Sequence, residues 1–278
     1  GGTMEGHMRS RLSGCSFALA LALSVTFSAN LRAETTWDSI KPAIFQDRTI
    51  QQSQNVVSLQ APYRTSDDRI IPIRVESKVT DGRSIRSVTL VADDNPMPVI
   101  AVFRLADGAS QFNVGLNIRL DGTSPVRAVV ETDDGALHMT EALVKTSGQG
   151  ACASPPVTKL DMVDSTIGQM AFEDITDKSA TGQTLITREG LLKLTHPNLT
   201  GLQMDQLTLQ HIPARYIDTM TVLQGDQQLF TVQAGITLSE NPEIAFEYRL
   251  NGAQDLTVMA TDTKGTKFKS VFPIGPSS

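Results

Sequence analysis

The sequence predicts an all-β protein made of two immunoglobulin-like β-sandwich domains, joined by a short Gly/Ala/Ser/Pro linker and preceded by a short helix. Three observations lead there. Past residue 70, short β-rich runs are separated by turn signals such as Asp81-Gly82, Asp121-Gly122 and Asn251-Gly252, with no helical segment between them. That strand pattern stops at residues 147–159, where small residues and Pro155-Pro156 take over, and then resumes. Finally, 278 residues exceed what one hydrophobic core usually serves. The expected organisation is a leader over 1–33, a first sandwich over 34–146, a linker over 147–159 and a second sandwich over 160–278.

The leader comes first in the chain. Met8-Arg9-Ser10-Arg11 is followed by the apolar run Phe17 to Phe27 and by small residues ending in Ala33, the order of a secretory signal with cleavage after Ala33. A membrane anchor needs about 20 consecutive apolar residues, and Ser24, Thr26, Ser28 and Asn30 dilute this run. Cys15 in Leu12-Ser13-Gly14-Cys15 superficially matches a lipoprotein box, but there the apolar region precedes the cysteine, and here it follows. Residues 1–7 lie ahead of the expected start at Met8. An exported, periplasmic protein with no membrane association after cleavage is expected.

Trp37 to Phe45 has Trp37, Ile40 and Ile44 at helical spacing, with Pro42 expected only near a first turn. Strands are expected at Ile70–Glu76, Ser87–Ala92, Pro98–Leu105, Asn113–Leu120, Val126–Glu131 and Leu137–Lys145. Beyond the linker they are expected at Gly190–Thr195, Leu207–His211, Asp218–Gln224, Gln228–Ala234, Glu243–Arg249, Asp255–Thr261 and Lys267–Pro273. Strands at this spacing form antiparallel sandwiches.

Composition excludes several functions. Hydrophobic residues at 40% and charged residues at 19% rule out a wholly disordered chain. A net charge of -6 offers no field for a polyanion, so nucleic acid is not an expected partner. Four histidines and two cysteines are too few to make a zinc or copper centre an expectation, and no metal or cofactor is predicted. His196 and His211 are read as strand-ending residues, Asp93 and Asp94 as a solvated turn, and Asn198-Leu199-Thr200 as a formal glycosylation acceptor. The chain lacks a Gly-x-Ser-x-Gly elbow, a phosphate loop and a Cys-x-x-Cys-His haem site, so no catalytic residue is assigned and the chain by itself is not read as an enzyme.

After cleavage one cysteine, Cys152, remains, and a lone cysteine in an oxidising compartment reads as a reactive thiol or as an intermolecular partner. Gly148, Gly150, Ala151 and Ala153 flank it with little bulk, and no apolar periodicity surrounds it, so an exposed thiol near the tip of a projecting loop is expected.

Two sets of segments carry a family resemblance. Trp37-x-x-Ile40, Phe45, Ala61-Pro62, Ile70-Ile71-Pro72-Ile73, Asp94-Asn95-Pro96-Met97-Pro98, Ile118-Arg119-Leu120 and the small-residue segment around Cys152 resemble SoxY. Thr195-His196-Pro197-Asn198-Leu199-Thr200-Gly201, Ile212-Pro213-Ala214-Arg215-Tyr216-Ile217, Ser239-Glu240-Asn241-Pro242 and Asp262-Thr263-Lys264-Gly265 resemble SoxZ. The arrangement is similar to fused SoxYZ-like carriers associated with quinoprotein dehydrogenases. The resemblance implies a carrier that holds a sulfur intermediate, such as one from thiosulfate, covalently on Cys152. Its implied partners are periplasmic redox enzymes or cytochromes of a sulfur-oxidation or quinoprotein dehydrogenase system. The alternative is a non-catalytic scaffold for such a system. The family's carrier cysteine sits in a Gly-Gly-Cys-Gly-Gly tail at the C-terminus, whereas Gly148-Gln149-Gly150-Ala151-Cys152-Ala153-Ser154-Pro155-Pro156 is tethered at both ends.

Overall fold

The computed structural model describes residues 1–3, 35–158, 163–177, 179 and 186–274. The expected signal segment, Cys15 and the start of the second expected domain lie outside the described residues. Residues 35–278 form one compact unit, and the description below concerns that unit.

The helix α1 (Thr36–Phe45) starts where the sequence offers a capping box: Thr35 Oγ1 accepts from the Asp38 N–H and Asp38 Oδ2 accepts from the Thr35 N–H. Pro42 sits in its second turn rather than near its first. The ring forfeits a helical donor there, and the helix ends one turn later with the Gln46 N–H on the Pro42 carbonyl. Trp37 and Phe45 are buried with Val91, Val129, Leu137 and Met139, and the Arg127 guanidinium stacks 4.4 Å from the Trp37 ring centroid.

Fifteen strands follow among the described residues. The first half contributes β1 (Ile50–Gln52), β2 (Val57–Gln60), β3 (Ile71–Lys78), β4 (Ile85–Ala92), β5 (Val99–Leu105), β6 (Gln111–Ile118), β7 (Ser124–Thr132) and β8 (Leu137–Val144). A short helix, α2 (Val163–Thr166), precedes β9 (Met170–Asp174), β10 (Thr187–Leu194), β11 (Ile217–Gln224), β12 (Gln227–Ala234), β13 (Glu243–Arg249), β14 (Asp255–Asp262) and β15 (Lys267–Pro273). Strands β1, β2 and β9 are additions to the expected set; β1 and β2 are only three and four residues long, too short to show a period. The expected strand at Leu207–His211 does not form. Leu207 is 95% exposed and Leu209 has a φ of 55°, so neither face of that run has a core to cover.

The two halves do not sit as separate sandwiches touching at their surfaces. They extend one another's sheets. One sheet runs β1-β8-β7-β4-β5-β12-β11-β14-β15 and the other β2-β3-β6-β13-β10-β9. The crossings are antiparallel: β5 meets β12 from Phe230↔Leu105 to Ala234↔Ala101, and β6 meets β13 from Ile244↔Leu116 to Phe246↔Val114. Four phenylalanines straddle that seam. Phe230 lies 5.7 Å from Phe103, 5.6 Å from Phe112 and 5.2 Å from Phe246 between ring centroids, in edge-to-face contacts. A single apolar cluster therefore runs from Val57 to Ala260 through both halves, and each half covers two strand edges that would otherwise be open to aggregation.

Candidate functional site around Cys152

Two buried ion pairs frame one end of the sheets. On the first-half side, Asp93 is buried and chelated by Arg127 through Nε (2.8 Å) and Nη2 (2.7 Å), with Glu141 as a further partner of the same guanidinium. Asp93 is thus no part of a solvated turn. Burial pushes its carboxyl above the ordinary range against the pull of Arg127. On the second-half side, Asp262 is fully buried and takes Arg215 Nε at 2.8 Å and His196 Nε2 at 3.4 Å. Burial opposes ionisation there, but Arg215, the Thr266 N–H and His196 outweigh it and hold the Asp262 carboxyl below its usual range. The His196 ring is held low chiefly by burial, and its Nδ1 accepts the Asn198 N–H at 3.0 Å.

Asn198 itself is fully buried with a φ of 39°, a region that asparagine tolerates better than most residues. Its Nδ2 donates to the Ser239 carbonyl at 2.9 Å and its Oδ1 accepts the Ile217 N–H at 3.0 Å. The formal glycosylation acceptor is therefore a core residue. His211 is exposed and distant in role from His196. Among the described residues no group of three or more His, Cys, Asp or Glu is placed to hold a metal ion.

Between these frames lies the segment 147–158. It does not project. Asp68 accepts the Ser147 N–H (3.0 Å) and hydroxyl (2.6 Å) and the Gln149 N–H (3.4 Å). Gly150 follows at a φ of 68°, the left-handed region that favours glycine, and its carbonyl closes a turn by accepting the N–H groups of Ala153 and Ser154. That turn directs the Cys152 N–H to Asp121 Oδ1 at 3.2 Å. From the other half, Thr200 Oγ1 donates to the Cys152 carbonyl at 2.6 Å and Gln203 Nε2 to the Ser154 carbonyl at 3.0 Å. Glu240 accepts the N–H groups of Val157 and Thr158 at 3.0 and 3.1 Å.

The consequence is that Cys152 is 0% exposed and Ala151 is buried beside it, where an exposed thiol had been expected. The reason lies in the backbone rather than in any apolar period: polar side chains from distant strands take up the segment's donors and acceptors and draw it flat against the seam. Gly148 and Gly150 supply left-handed turns instead of slack; of the four flanking residues Gly148 and Ala153 face solvent, while Gly150 is half-buried and Ala151 buried. Burial pushes the Cys152 thiol up to about 12; Asp121 adds to the shift and Arg119 opposes it. At neutral pH the thiol is protonated.

Arg119 is the third buried arginine among the described residues, 3% exposed. Its Nη2 donates to the carbonyls of Asn198 (2.7 Å) and Leu238 (2.8 Å), and Asn95 Nδ2 donates to its own carbonyl at 2.9 Å. Asp68, Asp121, Gln203 and Arg119 were not assigned a role from the sequence. A basic residue locked between Ile118 and Leu120 at the end of an alternating strand was the one available signal.

The segments quoted from the two halves thus converge: Asn95, Arg119, Asn198, Thr200, Ser239 and Glu240 all lie within hydrogen-bond networks that end on or beside Cys152. An all-β protein of two immunoglobulin-like halves, sharing their sheets and closing over one cysteine, is the class so defined. The SoxY model, "Sulfur oxidation protein SoxY", matches residues 41–152, and the SoxZ model, "Sulphur oxidation protein SoxZ", matches residues 188–273. The chain carries a SoxY domain followed by a SoxZ domain in one polypeptide, the two sulfur-oxidation protein families in fused form.

Solved structures add likenesses at low identity. The sulfur carrier protein SoxY from Chlorobium limicola f thiosulfatophilum is 21% identical, with 40% of this chain and 96% of that chain covered at a TM-score of 0.35. A putative superoxide reductase from Thermotoga maritima is 14% identical, with 36% of this chain and 93% of that chain covered at a TM-score of 0.31. A superoxide reductase (neelaredoxin) from Ignicoccus hospitalis is 16% identical, with 33% and 80% covered at a TM-score of 0.29. No curated protein matches. Among the described residues no helix is long and apolar enough to cross a membrane.

Proposed function

We propose that the chain is an exported, periplasmic carrier in sulfur oxidation, not itself an enzyme, that holds a sulfur intermediate covalently on Cys152 and presents it to redox partners. The observation that carries this reading is the convergence of both halves on the Cys152 backbone, with Asp121 from the first half and Thr200 from the second holding adjacent atoms of that residue. The end of the SoxY match at residue 152 supports it. Joining the Cys152 thiol to the sulfur of an anion such as thiosulfate forms an S–S bond with loss of two electrons and the thiol proton, so loading requires a two-electron oxidising partner. A redox enzyme or cytochrome of a sulfur-oxidation system fits that need. The buried, protonated thiol of the closed segment is the resting form in this reading, and loading requires residues 147–158 to lift.

The burial of Cys152 favours a second reading, in which the chain is a non-catalytic scaffold for a quinoprotein dehydrogenase and its cytochrome and the thiol takes no part. Intact mass of the protein taken from its native compartment under non-reducing conditions separates them. A sulfur-containing adduct lost in Cys152→Ser supports the carrier; an unmodified thiol together with a fully competent Cys152→Ser strain supports the scaffold. The same spectrum reads the N-terminus and tests cleavage after Ala33.

A further inference from the structure

Three arginines are buried among the described residues, and two have buried aspartate partners: Arg127 with Asp93, and Arg215 with Asp262. Arg119 has none. Among the described residues it forms no ion pair within 4.0 Å; Nη2 is satisfied only by two neutral carbonyls, and Nε is buried with no hydrogen-bond partner. A buried guanidinium is ordinarily paired with an anion, because removing its charge from water costs more than neutral acceptors return.

Arg119 lines a cavity of about 390 Å³ that lies between the Cys152 segment and the loop at Ser239–Asn241. The other buried polar groups of the wall are already occupied: Gln203 bridges Thr200 N–H and the Ser154 carbonyl, and the Ser239 hydroxyl donates to the Arg69 carbonyl. Ile70, Ala151, Pro155 and Val157 form an apolar part of the remaining wall, beside the polar Arg69, Asn117, Ser154 and Asn241. Glu240 and Glu243 also line the cavity, which disfavours multiply charged ligands. The volume suits a small organic molecule rather than a single ion and its water.

We propose that this cavity binds a singly charged organic oxyanion, a short-chain sulfonate or carboxylate, with its anionic head on the Arg119 guanidinium and its apolar body against Ile70, Pro155 and Val157. The site requires no covalent adduct on Cys152, so it stands or falls apart from the carrier reading.

Titration calorimetry of the folded chain at low ionic strength, with propane-1-sulfonate and with propionate as probes, tests it. Saturable binding of either is expected. Arg119→Gln should weaken it by about tenfold or more, the usual worth of a charge-assisted hydrogen bond. Because Arg119→Gln also strips support from two carbonyls, a second pair keeps the test open if that variant fails to fold: Ile70 is 54% exposed at the cavity wall, and Ile70→Glu should weaken binding while Ile70→Gln does not. Cys152→Ser should bind as the parent does. Binding of neither probe overturns the proposal, and so does binding that Ile70→Glu leaves equal to Ile70→Gln.

Discussion

Thr200 Oγ1 donates a 2.6 Å hydrogen bond to the carbonyl oxygen of Cys152, across 48 residues and from one half of the protein to the other. The acceptor is the cysteine's own backbone, so the bond holds the residue down without touching its sulfur. Asp121 does the same at the N–H. The thiol is therefore controlled by groups that need not take part in its chemistry.

The first prediction concerns access. Cys152 in the folded protein should react with a thiol reagent at neutral pH far more slowly than in the denatured chain. Thr200→Val, which removes the bond to the Cys152 carbonyl and keeps the side chain's shape, should accelerate labelling several-fold with little loss of fold. Equal rates in the parent and Thr200→Val would show that the bond does not latch the segment.

The second concerns the charge beside the thiol. Asp121 raises the Cys152 pKa, after burial itself. Asp121→Asn retains an acceptor for the Cys152 N–H and removes the charge, so labelling rates measured against pH should shift to lower pH in that variant. A folded-state pKa above the unfolded value also makes stability fall as pH rises from the unfolded value near 9 toward about 12. Cys152→Ser should lose that alkaline fall in denaturant midpoint. Tyr248, also raised to about 12 by burial, contributes a fall of its own that both proteins share.

The third concerns the Asp262 cluster. Its side chain, Arg215 and His196 are buried together. Asp262→Ala leaves a buried guanidinium without its carboxylate and should cost about 3–5 kcal/mol, read as a lower denaturant midpoint. The His196 and Asp262 pKa values are both depressed in the folded state, so their contributions are present above the unfolded values and are lost as pH falls through the folded ones. Acidification below about 6.5 should weaken the protein, first through His196 and then through Asp262. His196→Gln should blunt the earlier phase.

The fourth concerns the seam. Because β5–β12 and β6–β13 join the halves by main-chain pairing around Phe103, Phe112, Phe230 and Phe246, thermal unfolding should show one cooperative transition. Chains 35–159 and 160–278, made together, should assemble into one complex, and each made alone should aggregate or remain partly unfolded. Two transitions, each unchanged when the halves are separate, would contradict the shared core.

Much of the fold was legible along the chain. Alternation and Asp-Gly or Asn-Gly turns marked most strands because side chains of a half-buried strand repeat every two residues, and Trp37, Ile40 and Ile44 at helical spacing marked α1. Leu207–His211 misled for the same reason that others succeeded: its leucines alternate, but no second sheet faces them.

The sequence by itself determined the β class, the helix, the two family halves and the single cysteine among the described residues. Only the tertiary structure decided that the halves share two sheets, that Asp93 and Asn198 lie inside, and that Cys152 is covered. Local pattern records which residues favour a strand or a turn. The closure of 147–158 depends instead on Asp68, Asp121, Thr200, Gln203 and Glu240, brought to one end of the sheets by strand pairing over as many as 83 residues of chain. Hydrogen bonds to backbone groups leave no period in the sequence of the segment they hold, so its glycines and alanines read equally well as an open arm or as a strap.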